Sequence, residues 1–535
     1  MKTILNRIFV KLPAMTLVAA FTAVSCTSNF TEINTNPYNP TEDDLEGDNF
    51  RIGAFFPQLQ QQVIPIEKNA YQRDQNLHGD IFSGYMGIIN NFNNNNNPST
   101  YYFVDSYLNH TYENVFTKVF GAWMDIRRNT PDYETSPNFA LAQILKIAAL
   151  HRFADNWGPM PYSQVGAGSM QVPYDSQEAV YRLFFEELED AINVLTDFVS
   201  RNPESKPLAN YDMVYGGDFA QWIKFANSLR LRLGMRVCYA APDLAEQNVR
   251  AALTHSGGLI ASNADNAAIE SGAGISILNP LEIMWNSYCD VRMGASITSY
   301  MNGYSDPRIT KYFQKSTFTG EDATKYPYIG VRIGTTITTK DAFKPFSAPN
   351  ISESDPLMWF NAAEVAFLRA EAALRGWDAG DVKTYYEQGV RLSFEQWGAG
   401  SADEYLQSTD LPARYDNPVS SGTSSAAVST MTVAWDPDAD FETQLEKIMT
   451  QKWLALFPNG QEAWTEFRRT DYPKLFTVVK NNSGGKIDTE KQVRRLPFTP
   501  TEKETNAENY AKAVELLGGE DNGGTNVWWD KKPRK

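Results

Sequence analysis

The run Asn90 to Asn97, NNFNNNNN, sets seven side-chain amides just ahead of the rings of Tyr101-Tyr102-Phe103. Each amide offers donors and an acceptor, so an exposed loop of this composition can meet a hydroxyl-rich ligand. The same composition also suits a solvated spacer. Bond-making chemistry is harder to place. The four histidines, His78, His110, His151 and His255, show no H-E-x-x-H spacing, so no metal site is predicted, and His151 is expected to be a satisfied core residue. A glycosidase needs two carboxylates across a scissile bond, but acidic residues are too numerous here to nominate a pair. Glu186-Glu187 and Glu189-Asp190 alternate with apolar positions and read as the solvated face of a helix. The chain has no G-x-S-x-G elbow, phosphate loop or dinucleotide fingerprint, and no cofactor is expected.

Side chains of this kind need a scaffold. The clearest element runs from Asn138 to Asp155, where Leu141, Ile144, Leu145 and Ala148 recur at the spacing of one helix face. It gives way to Trp157-Gly158-Pro159-Met160-Pro161-Tyr162, and Gly158 and the prolines cannot continue it. Trp157 and Tyr162 are expected to pack and fix this turn. Helical patterning also marks Asn49 to Val63, Gln72 to Ile89, Tyr107 to Arg128, Val180 to Leu195, Trp222 to Leu233 and Asp243 to His255. It returns at Met358 to Ala372, Tyr385 to Trp397, Leu445 to Leu456 and Gln461 to Arg469. Between these, residues 258–355 and 398–440 are rich in turn formers, the first carrying Trp285, Tyr288 and Arg292. The predicted fold is mostly α, with antiparallel helix pairs of the tetratricopeptide type but no sharp repeat consensus.

The 535 residues show no linker between independent halves, so one large helical body is expected over 49–535. A net charge of −16 argues against nucleic acid or anionic membrane surfaces as partners. Lys2, Arg7 and Lys11 precede an apolar run, Leu12 to Val24, too short to span a bilayer and laid out as an export signal. It ends in Ala23-Val24-Ser25-Cys26, which resembles the lipobox of bacterial lipoproteins, although Ala23 stands where Leu is usual. That resemblance implies a signal over 1–25 and a lipid on Cys26. Residues 26–48, rich in Asn, Pro and acidic side chains, then read as a tether. Cys238 and Cys289 are the remaining cysteines; a disulfide between them is open, although Cys238 sits in a helical apolar run and suits a small buried hydrophobe.

Several pieces, taken in order, resemble one family: the lipobox, Asn34-Thr35-Asn36-Pro37, Asp155-Asn156-Trp157-Gly158-Pro159-Met160-Pro161-Tyr162, Phe360-Asn361-Ala362-Ala363-Glu364-Val365 with Arg369-Ala370-Glu371-Ala372, Gln451-Lys452-Trp453 and Trp528-Trp529-Asp530. The chain resembles the SusD/RagB outer-membrane lipoproteins of the Bacteroidetes. The resemblance implies four tetratricopeptide-like helix pairs with irregular insertions on one face, and a lipid-anchored, surface-exposed binding protein rather than an enzyme. It implies a SusC-like TonB-dependent transporter as partner, and oligosaccharide, or in some members peptide, as cargo. By analogy with where the family binds ligand, Asp80, Tyr85, Asn91, Tyr102, Trp285, Tyr288 and Arg292 are the candidate contacts. Trp285 and Tyr288 would stack on sugar rings, while Arg292 or Asp80 would bracket hydroxyls. A surface glycosidase and a pure protein-interaction scaffold are the readings from other classes.

Overall fold

In the computed structural model, which describes residues 49–169 and 171–534, long helices begin where a short polar side chain accepts the free N–H groups of a first turn. Ser136 caps α1 (Pro137–Trp157), Ser176 caps α2 (Gln177–Arg201) and Asp218 caps α3 (Phe219–Arg236). After α4 (Pro242–Thr254), Asn361 caps α5 (Ala362–Leu374), Asp381 α6 (Val382–Gln396), Asp440 α7 (Phe441–Leu456) and Asn459 α8 (Gly460–Thr470). Gly158, at φ 85°, ends α1 where the sequence predicts. The candidate signal, Cys26 and the tether lie outside the described residues.

Residues 52–535 form one compact unit built from these helices. Neighbours pack in order, α1 on α2, α2 on α3, α3 on α4, then α5 on α6 and α7, with α7 on α8. The fold is mostly α, a stack of tetratricopeptide-like pairs, and α3 against α5 joins its two halves. Almost every residue of α1 is buried, so it is the hub. Trp157 stacks on Phe153 with centroids 4.5 Å apart, and the Tyr162 hydroxyl donates a hydrogen bond to Glu187. That carboxylate also pairs with Lys146 at 2.9 Å, so Glu187 faces the hub while Glu186, Glu189 and Asp190 stay in solvent.

Two short antiparallel sheets tie the irregular segments down. β1 (Met86–Ile88) pairs with β3 (Val291–Met293), Gly87 opposite Arg292; β2 (Ala267–Ile269) pairs with β4 (Leu357–Phe360). Both depart from the predicted helices. The run from Gln72 is π-helical to Asp80 and leaves the helix at Gly84, φ 76°, before entering β1. Met358 and Trp359 belong to a strand, because apolar residues buried on both faces carry no period to tell strand from helix. A helix over Ala295–Gly303 interrupts the irregular 258–355 region, and the predicted Tyr107 to Arg128 helix carries a π-helical turn at Val115–Phe120. Cys238 is buried and Cys289 half-buried, and both thiols are free.

Candidate ligand-binding face

The π-helical segment packs against the start of α8 with almost no room between backbones. A Cβ on Gly79 would lie 2.6 Å from the Gln461 backbone, and one on Gly460 2.4 Å from the Cα of Asp80. This contact corrects two of the predicted site residues. Asp80 is fully enclosed, accepting from Gln75 at 2.8 Å and Asn76 at 2.9 Å, and burial pushes its carboxyl up to about 7. Tyr85 is also enclosed, stacked 5.4 Å from Trp453, whose backbone carbonyl accepts a hydrogen bond from its hydroxyl. Neither side chain can reach a ligand on the surface; both belong to the core beneath it.

Trp285, Tyr288 and Arg292 are brought together by a π-helical turn over Ile283–Ser287 and by β3. Trp285 is half-buried, its indole N–H donating to the Ile351 carbonyl at 2.9 Å; Tyr288 is half-buried with its hydroxyl 3.3 Å from Asn69 Oδ1. Arg292 is the third correction, since it is buried and spends its guanidinium on the fold. It donates to the carbonyls of Lys344 at 3.1 Å, Trp285 at 3.1 Å and Val291 at 2.8 Å. Arg292 therefore clamps the turn that presents the two rings. Beside it, buried Asp290 accepts from Gln72, Asn90 and Lys340, each at 2.8–2.9 Å, joining this turn to the asparagine run.

The asparagine run is a built loop. Asn93, Asn94 and Asn95 all adopt left-handed backbone (φ 49°, 54° and 60°), a conformation asparagine tolerates better than most residues. Asn95 is buried and its amide pairs with both backbone atoms of Ile337, donating to the carbonyl at 3.1 Å and accepting from the N–H at 2.8 Å. Asn97 caps the next turn, and Asn482 donates to the Asn95 carbonyl at 3.3 Å and the Asn96 side chain at 3.0 Å. Asn91, Asn93 and Asn94 are left exposed between these ties.

Tyr102 stands apart from Trp285 and Tyr288. It is 41% exposed and lines a cavity of about 410 Å³, together with Phe103, Phe498, Asn482, Lys486 and Lys503. Burial raises the Asp521 carboxyl there, but Arg495 at 2.7 Å and the Phe498 N–H at 2.8 Å outweigh it and hold it below the usual range. Sequence patterning nominates no ligand contact in this C-terminal stretch. The signal available was Asn481-Asn482-Ser483-Gly484-Gly485-Lys486, a second amide-bearing turn.

One group with metal-ligand side chains converges in the core, His151, Asp155 and Glu462. Arg236 lies among these side chains, pairing with Asp155 at 2.5 Å and with Glu462, and Arg232 stands 3.8 Å from Glu462. His151 bonds the Ile147 carbonyl through Nδ1 at 3.0 Å, and burial holds its pKa well below the ordinary value. Among the described residues no helix is long and apolar enough to cross a membrane.

The family model described as SusD-like, Susd and RagB outer membrane lipoprotein, matches residues 32–530. Among solved structures, a chitin-binding SusD homologue from Flavobacterium johnsoniae is 39% identical with a TM-score of 0.86, over 90% of this chain and 99% of its own. A SusD homologue from Bacteroides uniformis is 38% identical with a TM-score of 0.84, over 90% and 100%. One from Bacteroides thetaiotaomicron is 36% identical with a TM-score of 0.83, over 90% and 99%. No curated protein matches the chain.

Proposed function

Because the chain belongs to the SusD-like family of SusD and RagB outer-membrane lipoproteins, we propose that it captures oligosaccharides at the cell surface and makes or breaks no bond in them. In this reading Cys26 carries the lipid, residues 26–48 tether the body, and a SusC-like TonB-dependent transporter receives the ligand. The half-buried rings of Trp285 and Tyr288 offer stacking surfaces, and Asn91 with its exposed neighbours supplies amides for hydroxyls.

The observation that carries this reading is the double tie of the asparagine loop, through Asn95 to Ile337 and through Asn482 to Asn95 and Asn96. A loop held this way loses little freedom when it binds, so weak individual contacts to a sugar are not spent on ordering it. Solvated spacers have no reason to be so held. The relative from Flavobacterium johnsoniae is chitin-binding, which makes β-linked N-acetylglucosamine oligomers the first ligands to try.

Calorimetric titration of the full-length protein in detergent, against a panel of neutral oligosaccharides and short peptides, tests the proposal. We expect saccharide binding that weakens in Trp285→Ala. Binding of peptides alone would replace the cargo, and silence across the panel would sink the capture reading.

A further inference from the structure

The cavity under Tyr102 has a composition that the open face around Trp285 does not share. Its volume, about 410 Å³, falls within the roughly 300–1,000 Å³ of small-molecule pockets. Cavities elsewhere in the body, near Asp74 and near Gly294, hold about 20 and 10 Å³, room for a water or so. Four aromatic residues line it: exposed Tyr102, half-buried Phe103, and buried Tyr101 and Phe498. Asn482 lines it as well. Its amide nitrogen is committed to Asn95 and Asn96, while its Oδ1 accepts no hydrogen bond among the described residues. The walls are set in advance: a Cβ on Gly523 would meet Phe103 at 2.5 Å, and the Gly523 carbonyl accepts from the Arg494 N–H at 2.8 Å.

The charges decide what this space takes. Lys486 and Lys503 face it, and so do Asp105 and Asp521. Lys503 is paired with Asp521 at 3.1 Å, whereas Lys486 and Asp105 make no ion pair or side-chain hydrogen bond among the described residues. With Arg495 also pairing Asp521 at 2.7 Å, the cations exceed the anions by a single charge, too little to commit the space to an ionic ligand. Aromatic walls, an amide acceptor and single unspent donor and acceptor groups suit a ring with one apolar face and hydroxyls at its edge.

We infer that this half-open cavity is a second ligand site that takes one or two neutral pyranose rings at the end of an oligosaccharide, stacked on Tyr102 with Asn482, Lys486 and Asp105 at their hydroxyl edge. The inference rests on the glycan reading above and adds a chain-end pocket to its open face. Longer ligands would reach the asparagine loop, whose residues Asn95 and Asn96 bond the same Asn482 that lines the cavity.

The test uses the full-length protein in detergent, titrated with di-N-acetylchitobiose and cellobiose, ligands short enough to sit in the cavity alone. Two variants address it: Tyr102→Ala, at a residue too exposed to be needed for folding, and Ser483→Trp, which fills the space; an unchanged melting curve checks that the second has folded. We expect disaccharide affinity to fall roughly tenfold or more in both. Disaccharide binding indifferent to both variants, or binding confined to long chains and indifferent to Ser483→Trp, would overturn the cavity site while leaving glycan capture intact. No binding of any saccharide, or of peptides only, would overturn both.

Discussion

Trp529 donates its indole N–H to Asp155 at 2.9 Å, a hydrogen bond that spans 374 positions of sequence. The same carboxylate accepts from Tyr181 at 2.5 Å and pairs with Arg236 at 2.5 Å, so the chain's end is a strut of the hub helix. Next to it, Trp528 donates its backbone N–H to Gln177 at 2.8 Å and Asp530 pairs with Arg494 at 2.8 Å. Trp529→Phe keeps most of the buried ring but loses the donor. We expect urea denaturation to report a loss of about 1–3 kcal/mol, with saccharide affinity unchanged; an unaltered midpoint would show that the bond adds nothing.

Arg236 is the more demanding position, since it is enclosed and meets Asp155, Glu462 and Glu466 at once. The network continues through Lys452 to Glu466 at 2.9 Å and Arg469 to Glu371 at 2.6 Å. Removing one partner of a buried pair leaves a charge that neither water nor protein neutralises, typically about 3–5 kcal/mol. Arg236→Met should therefore cost several times more than Trp529→Phe. Equal midpoints for the two variants would argue that water enters and screens the carboxylates.

These networks mark how far the sequence could be read. Asp155, Glu364, Glu371, Lys452, Trp453 and Trp529 all lie in the short runs that carry the family resemblance, and the structure spends each on the frame. Helix existence was legible from Leu141, Ile144 and Leu145 or from Val180, Phe184 and Leu188, because these helices bury one stripe or more of regular period. Asp80 and Arg292 are nominated by analogy with the family alone, and nothing in the residues around them tells that their hydrogen-bond partners hold both inside the body. No local pattern announces that Asn482 lies beside Asn95, 387 positions away. Sites assembled by such pairings are invisible to periodicity.

Asp80 gives a pH dependence with a definite sign. Burial pushes its folded-state pKa up to about 7, against about 3.9 in an unfolded chain. The folded state thus holds a proton that the unfolded state has released between those values. Its contribution to stability is fully present below about pH 4 and is lost as pH rises through 7. Asp74, pushed up to about 6 by its own burial, behaves alike but cancels when wild type is compared with Asp80→Asn. The stability of wild type relative to that variant should fall between pH 4 and 7 in urea titrations at stepped pH. A difference that stays flat would mean that the hydrogen bonds from Gln75 and Asn76 keep the carboxylate charged throughout.

Asn95 separates loop order from body stability. Its amide imitates a strand partner for Ile337, and its φ of 60° is one that alanine adopts only with strain. Asn95→Ala removes both bonds and adds that strain, for about 2–4 kcal/mol in all if the loop kept its place. A loop can instead detach locally and spare the rest of the fold, and the helices of the hub make no bond to Asn95. We expect the unfolding midpoint to drop by less than those bonds are worth, while amide hydrogen exchange speeds up over Asn93 to Thr100 and at Ile337. Oligosaccharide affinity should fall in step, because the variant must order the loop on binding. Asn95→Asp keeps the acceptor for the Ile337 N–H but leaves the Ile337 carbonyl without its donor, so its exchange rates should lie between those of alanine and wild type. If exchange quickens while affinity holds, the ligand does not use this loop, and its rigidity serves only to seat Asn482.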